Sequence, residues 1–133
     1  MRRAVIALGV LLLCGCGTES PDLFEVRRSG DDRAANLTLV VNDGGQVTCN
    51  GADHALDAER LLQARELARQ LQEPAELGIE LPPGPNAVLS YRVRLESGTV
   101  SFSDTSRAKP PVFQRVAAFT HDVAERVCGI VRQ

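Results

Sequence analysis

The segment from Ala87 to Ser103 constrains the fold more than any other part of this 133-residue chain. Leu89, Tyr91, Val93 and Leu95 alternate with Ser90, Arg92, Arg94 and Glu96, the period of two that puts apolar and polar side chains on opposite faces of a strand. Ser97-Gly98 reads as a two-residue turn, which opposes Leu95 to Val100 and Val93 to Phe102 and sets Thr99, Ser101 and Ser103 beside the arginines. A half-buried hairpin of this kind is marginal alone and must lay its apolar face on another layer.

A second hairpin precedes it. Leu37 to Val41 and Gln46 to Cys49 flank Asn42-Asp43-Gly44-Gly45, and cross-strand partners must point the same way. A two-residue loop at Asp43-Gly44 opposes Val41 to Gln46, mixing core with solvent. A three-residue loop, Asp43-Gly44-Gly45, opposes Val41 to Val47 and Leu39 to Cys49. The latter is expected, with Gly45 in the left-handed conformation and Cys49 facing the core.

Each hairpin is followed by a helical pattern. Asp57 to Gln72 has Asp57 as N-cap and an apolar stripe of Leu61, Ala64, Ala68 and Leu71, widened by Leu62 and Leu67; Pro74 ends it. Pro110-Pro111 open a second helix from about Val112 to Val131, with a stripe that includes Phe113, Val116, Thr120, Val123, Ala124, Val127 and Cys128. The segment from Glu73 to Asn86, with Pro82, Pro83 and Pro85, reads as a stiff connection. Leu23 to Val26 is expected to be a short edge strand, and Ser29 to Ala35 a loop. The expected fold is therefore α+β: an antiparallel sheet of four or five strands built on two hairpins, with two helices on one face and the hairpin-helix arrangement repeated twice.

The amino-terminal residues have a separate character. Arg2 and Arg3 precede the apolar run Ala4 to Leu13, which leads into Cys14-Gly15-Cys16. That run is too short to span a bilayer, which takes about 20 residues. Leu13-Cys14-Gly15-Cys16 resembles the lipobox of bacterial lipoproteins, with Cys14 in a position more often held by Ala, Ser or Thr. The resemblance implies a signal peptide over residues 1–15, lipid on Cys16, a lipidated tether over residues 16–21 and one exported domain over residues 22–133. It also implies attachment to the extracytoplasmic side of the cell membrane, where several acyl chains hold a protein stably. An ordinary signal peptide without lipidation is the alternative reading.

With Cys16 assigned to lipid and Cys14 leaving with the leader, Cys49 and Cys128 remain as a pair in an oxidising compartment. A disulfide between them closes a loop of about 80 residues, worth about 4 kcal/mol in the chain-entropy model. The formal net charge of −2 becomes more acidic once Arg2 and Arg3 are removed, and overall charge favours neither nucleic acid nor an anionic membrane surface.

Catalytic patterns are missing from the sequence. His54 and His121 have no ligand at metal-binding spacing, Asp31, Asp32 and Asp53 form no calcium loop, and no phosphate-binding glycine motif occurs. No enzyme, cofactor or metal is expected. Two surfaces are candidates for binding. One is the polar sheet face with Thr38, Gln46, Thr48, Ser90, Arg92, Arg94, Thr99, Ser101 and Ser103, which either docks a protein or acidic ligand or is simply solvated. The other is the proline-rich connection, where Ile79 and Leu81 either form a recognition loop or fill the core.

In layout, the strands, two helices and stiff loop resemble the subtilisin-inhibitor family, which implies a serine-protease-binding loop within residues 73–86. That family brackets its loop with a disulfide, and no cysteine lies between Cys49 and Cys128 here. The expected function is a membrane-tethered, non-catalytic module that binds or assists an envelope protein, with protease inhibition as the alternative.

Overall fold

The computed structural model describes residues 22–132. The leader, Cys14, Cys16 and the tether lie outside the described residues. The architecture is α+β, in two layers. Strands β1 (Asp22–Gly30), β2 (Leu37–Asn42), β3 (Gln46–Cys49), β4 (Ala52–Ala55), β5 (Leu89–Leu95) and β6 (Gly98–Ser103) form one sheet in the order β4-β3-β2-β1-β5-β6. Every neighbouring pair is antiparallel. Helices α1 (Ala58–Glu76) and α2 (Pro111–Arg126) complete the domain.

The sheet differs from the expected one in two ways, in its six strands rather than four or five and in the place of β1. Strand β4 contributes no apolar side chain to the core; Ala52 and Asp53 are exposed, and the strand is held by its backbone ladder to β3 and by the Thr48 hydroxyl donating to Asp53 Oδ1 at 2.8 Å. Strand β1 is a centre strand, paired on both sides, where an edge was expected. It runs on to Gly30, so the expected loop at Ser29 begins later and contains a short 3-10 turn at Arg33–Ala35. The repeat of hairpin and helix is likewise not matched, because the first half is a four-strand meander and the second a simple hairpin.

The first hairpin has the expected register, with Val41 opposite Val47 and Leu39 opposite Cys49. Gly45 takes φ +85°, and Asn42 Oδ1 accepts from the amides of Gly44 and Gln46 at 3.0 and 2.9 Å, which closes the loop. The second hairpin differs by two residues. Leu95 pairs with Gly98 and Val93 with Val100, so Glu96 and Ser97 make the turn and Gly98 belongs to β6. A slip of two preserves the faces, which is why the alternation alone did not separate the registers. Gly98 serves packing instead: a Cβ there would stand 2.1 Å from the Ala75 carbonyl oxygen at the end of α1.

One face of the sheet is closed by the helices. Phe24, Val26, Leu39, Val41, Val47, Val93 and Val100 are all buried on it, and such side chains each contribute about 1.5–3 kcal/mol. Tyr91, Phe102 and Phe113 stack in sequence at centroid separations of 5.0 and 4.9 Å, and Phe24 meets Phe119 edge-on at 6.0 Å. Helix α1 is capped by Asp57, whose carboxylate accepts from the Arg60 amide at 2.9 Å. It passes through Pro74 to Glu76, beyond the expected stop. Proline removes one late hydrogen bond, and burial of Ala75 against β6 compensates. Leu62 faces solvent rather than widening the stripe. Helix α2 ends at Arg126, short of Val131, because the chain turns at Gly129 with φ +70°.

Just before that turn Cys128 meets Cys49, and the two form a disulfide with Cα atoms 6.0 Å apart. The cysteines join the end of the last helix to β3, on the closed side of the sheet. Among the described residues, no helix is long and apolar enough to cross a membrane.

Candidate functional site

Alternation on β1 and β5 sends every second side chain to the uncovered face. Arg92 and Arg94 of β5 lie there, both exposed. The structure adds two residues that the sequence reading missed. Arg27 stands opposite Arg92, and Glu25 stands opposite Arg94. Glu25 is the only carboxylate among the four, and its side chain is 16 % exposed. Arg27 Nε donates to one of its oxygens at 2.8 Å and Arg94 Nη2 to the other at 3.1 Å. Two guanidinium groups are thereby held over the sheet by one acid. Among the described residues, Arg92 has no ion-pair partner.

Hydroxyl side chains surround this group. Thr38 pairs across from Arg27, Thr99 from Arg94, Ser101 from Arg92, and Ser29 from Ser90. Ser103 does not join them. It is buried, and its backbone amide donates to the Ser106 hydroxyl at 2.8 Å beneath the turn that follows β6. Chemically, the face offers the three arginines, the carboxylates of Glu25, Asp53 beside Thr48 and Glu80 beside Ser101, and hydroxyl neighbours.

Arg28, next on β1, points the other way and is only 2 % exposed. Its Nε donates to the Ala35 carbonyl at 2.9 Å and its Nη2 to the Ala34 carbonyl at 3.0 Å. Desolvation lowers its pKa from the usual guanidinium value, and burial raises that of Tyr91 opposite. This arginine fastens the 3-10 turn to the sheet and is spent on structure.

The proline-rich connection also has a structural task. Leu81 N donates to the Ser101 carbonyl at 2.8 Å, and Ser101 N donates to the Ile79 carbonyl at 3.0 Å. A parallel bridge between Glu80 and Ser101 results, covering the outer edge of β6. Ile79 and Leu81 are partly buried and pack against the core.

The helix layer has its own relief. A groove of about 800 Å³ between α1 and α2 is lined by Arg60, Leu62, Leu67, Arg115, Phe119 and Asp122 among others. Arg60 spans it, bonding Asp57 on its own helix and Asp122 Oδ2 of α2 at 2.8 Å. The Arg60 guanidinium holds the Asp122 carboxyl below its usual range, while the Arg60 amide and then its guanidinium do the same for Asp57. His121 lies 3.5 Å from Glu125 one turn on, and His54 is on β4 opposite Val47. No group of three or more His, Cys, Asp or Glu residues is placed to hold a metal ion among the described residues.

The fold and this face define a two-layer α+β domain whose sheet is closed on one side and open, with an arginine cluster, on the other. Comparison with known proteins finds no matching family model, curated protein or solved structure. A functional reading must therefore come from the site itself.

Proposed function

We propose that this is an exported lipoprotein, anchored through lipid on Cys16, whose domain is a non-catalytic binding or accessory module at the cell envelope. The observation that carries the binding role is the cluster of Arg27, Arg92 and Arg94 around the largely shielded Glu25 on the open sheet face. Its counterpart is anionic. A solvated face needs no such arrangement: Arg27 and Arg92 are like charges directly opposed, which destabilises a strand pair unless something offsets them. The anchor is supported by the basic, apolar and Gly-Cys order of residues 1–16, and by the start of β1 at Asp22, a short tether beyond Cys16.

Intact mass of the native protein tests the anchor. Loss of residues 1–15 together with a lipid adduct on Cys16 is expected, and an unmodified Cys16 thiol refutes it. A photo-crosslinking residue at Ser101 tests the face. A discrete adduct with an envelope component is expected, and Arg92→Glu with Arg94→Glu should abolish it; an adduct indifferent to that charge reversal would overturn the assignment.

A further inference from the structure

The groove between α1 and α2 carries charges of both signs, and their order along it matters more than their sum. Arg60 bonds Asp122 at one end, and Arg115 Nη2 donates to Gln70 Oε1 at the other, so the helices are antiparallel and the two ends differ. Of the charged side chains that line it, Arg60, Glu66 and Asp122 are held in ion pairs within the chain. Glu59, beside the first end, and Arg115, at the second, are exposed and form no ion pair among the described residues. An acid is thus left over at one end and a cation at the other.

The middle is apolar. Leu67 and Phe119 are buried beneath the groove, Ala118 is small and exposed, and Leu62 stands on its wall, 64 % exposed. An apolar strip with polar ends is the anatomy of an interface core and rim.

What fits this pattern is a surface with the same order reversed, and the chain itself supplies one. A two-fold axis crossing the groove lays α1 of one copy antiparallel along α1 of another, and an isologous contact of this kind makes every pairing twice. Residues 59 and 70 change places under that axis, so Glu59 meets the Gln70–Arg115 junction of the other copy. Residues 62 and 67 change places as well, which sets Leu62 beside the other copy's Leu67. Helices of 19 and 16 residues present a face about 24 Å long and about 20 Å wide, so the two copies together bury about 1,000 Å². That is the lower end of specific interfaces, and it predicts a weak, reversible dimer.

We propose that this groove is the contact between two copies of the chain, closed by Glu59–Arg115 pairs at both ends and by Leu62 in between. The four helices then form the centre of the dimer, and the two sheets lie outside it with their open faces uncovered. The contact depends on neither the lipid anchor nor the arginine cluster of the sheet.

Sedimentation equilibrium of the native protein in density-matched detergent should show monomer and dimer exchanging with concentration. Glu59→Arg or Arg115→Glu alone sets like charges against each other at both ends and should weaken dimerisation about tenfold or more. An equimolar mixture of the two variants should recover the wild-type association constant to within about threefold, because each variant supplies the charge that the other lost. Leu62→Asp should also weaken association about tenfold and leave the monomer folded by near-ultraviolet circular dichroism, since Leu62 is exposed there. A monomer at every concentration up to about 0.1 mM overturns the proposal. So does a dimer that the single charge reversals leave unchanged, or a mixture that fails to recover it. A photo-crosslinking residue at Gln63, on the groove, tests the occupant in intact envelopes. An adduct of twice the chain mass supports a second copy, and an adduct with a different protein overturns it. Loss of the anchor reading, which intact mass decides, leaves each of these outcomes as stated.

Discussion

Arg27 and Arg28 are neighbours on β1 and have opposite surroundings. Arg28 is buried on the closed face, with two backbone carbonyls bound and its charge disfavoured by desolvation. Arg27 is 63 % exposed, bound only to Glu25 and opposed to another arginine. One strand thus carries a buried structural cation and an exposed cation one residue apart, and the difference lies wholly in which face each occupies. On the closed face, changing a side chain should change stability; on the open face, stability should change little.

The largest test of that contrast is the clamp beneath the closed face. Replacing Cys49 and Cys128 together by Ala should cost about 4 kcal/mol, read from urea unfolding, because a loop of about 80 residues is no longer closed in the unfolded chain. Phe113→Ala should follow at about 3 kcal/mol, since this fully buried ring stacks on Phe102. Arg28→Ala should cost about 2 kcal/mol by leaving the Ala34 and Ala35 carbonyls without their donor. On the open face, Arg92→Thr should alter stability by less than about 0.5 kcal/mol, and in the stabilising direction, because a like-charge pair is removed. A loss above about 1 kcal/mol there would break the contrast.

Acid should act on the helix layer. Asp57 and Asp122 are held below the usual carboxylate range by Arg60. Groups with a depressed folded pKa stabilise above their unfolded value, about 3.9, and lose that contribution as pH falls through the folded value. Urea midpoints should therefore hold steady from neutrality to about pH 5 and drop below about pH 4, with Arg60→Ala flattening the drop. Unchanged acid sensitivity in that variant would remove the ion-pair network from the account.

The parts of the fold that sequence reveals are those where burial and periodicity agree. The first hairpin could be registered from faces alone, and Asp57 and the two helix starts follow from capping and proline chemistry. Arg28, on the core side of β1, breaks the apolar alternation of Phe24 and Val26, so the sequence pattern hides the length and the central place of this strand. A pattern that ends at Val26 leaves Arg27 outside any strand, whereas Arg92 and Arg94 lie within the clean alternation of β5. Strand β4 has no apolar pattern to find. Val127 and Cys128 continue the helical period past the true end of α2, and only the left-handed turn at Gly129 reveals the stop.

The disulfide divides the chain in a way that bears on force. It encloses β4, α1, β5, β6 and α2 in a covalent ring and leaves β1 and β2 outside it. Tension entering at Asp22 therefore runs first along β1, with no cross-link to carry it. That strand is hydrogen-bonded to β2 on one side and β5 on the other, so a pull along its axis must shear two ladders together, where an edge strand could be peeled from one. Mechanical resistance and covalent bracing thus fall on different parts of the same sheet.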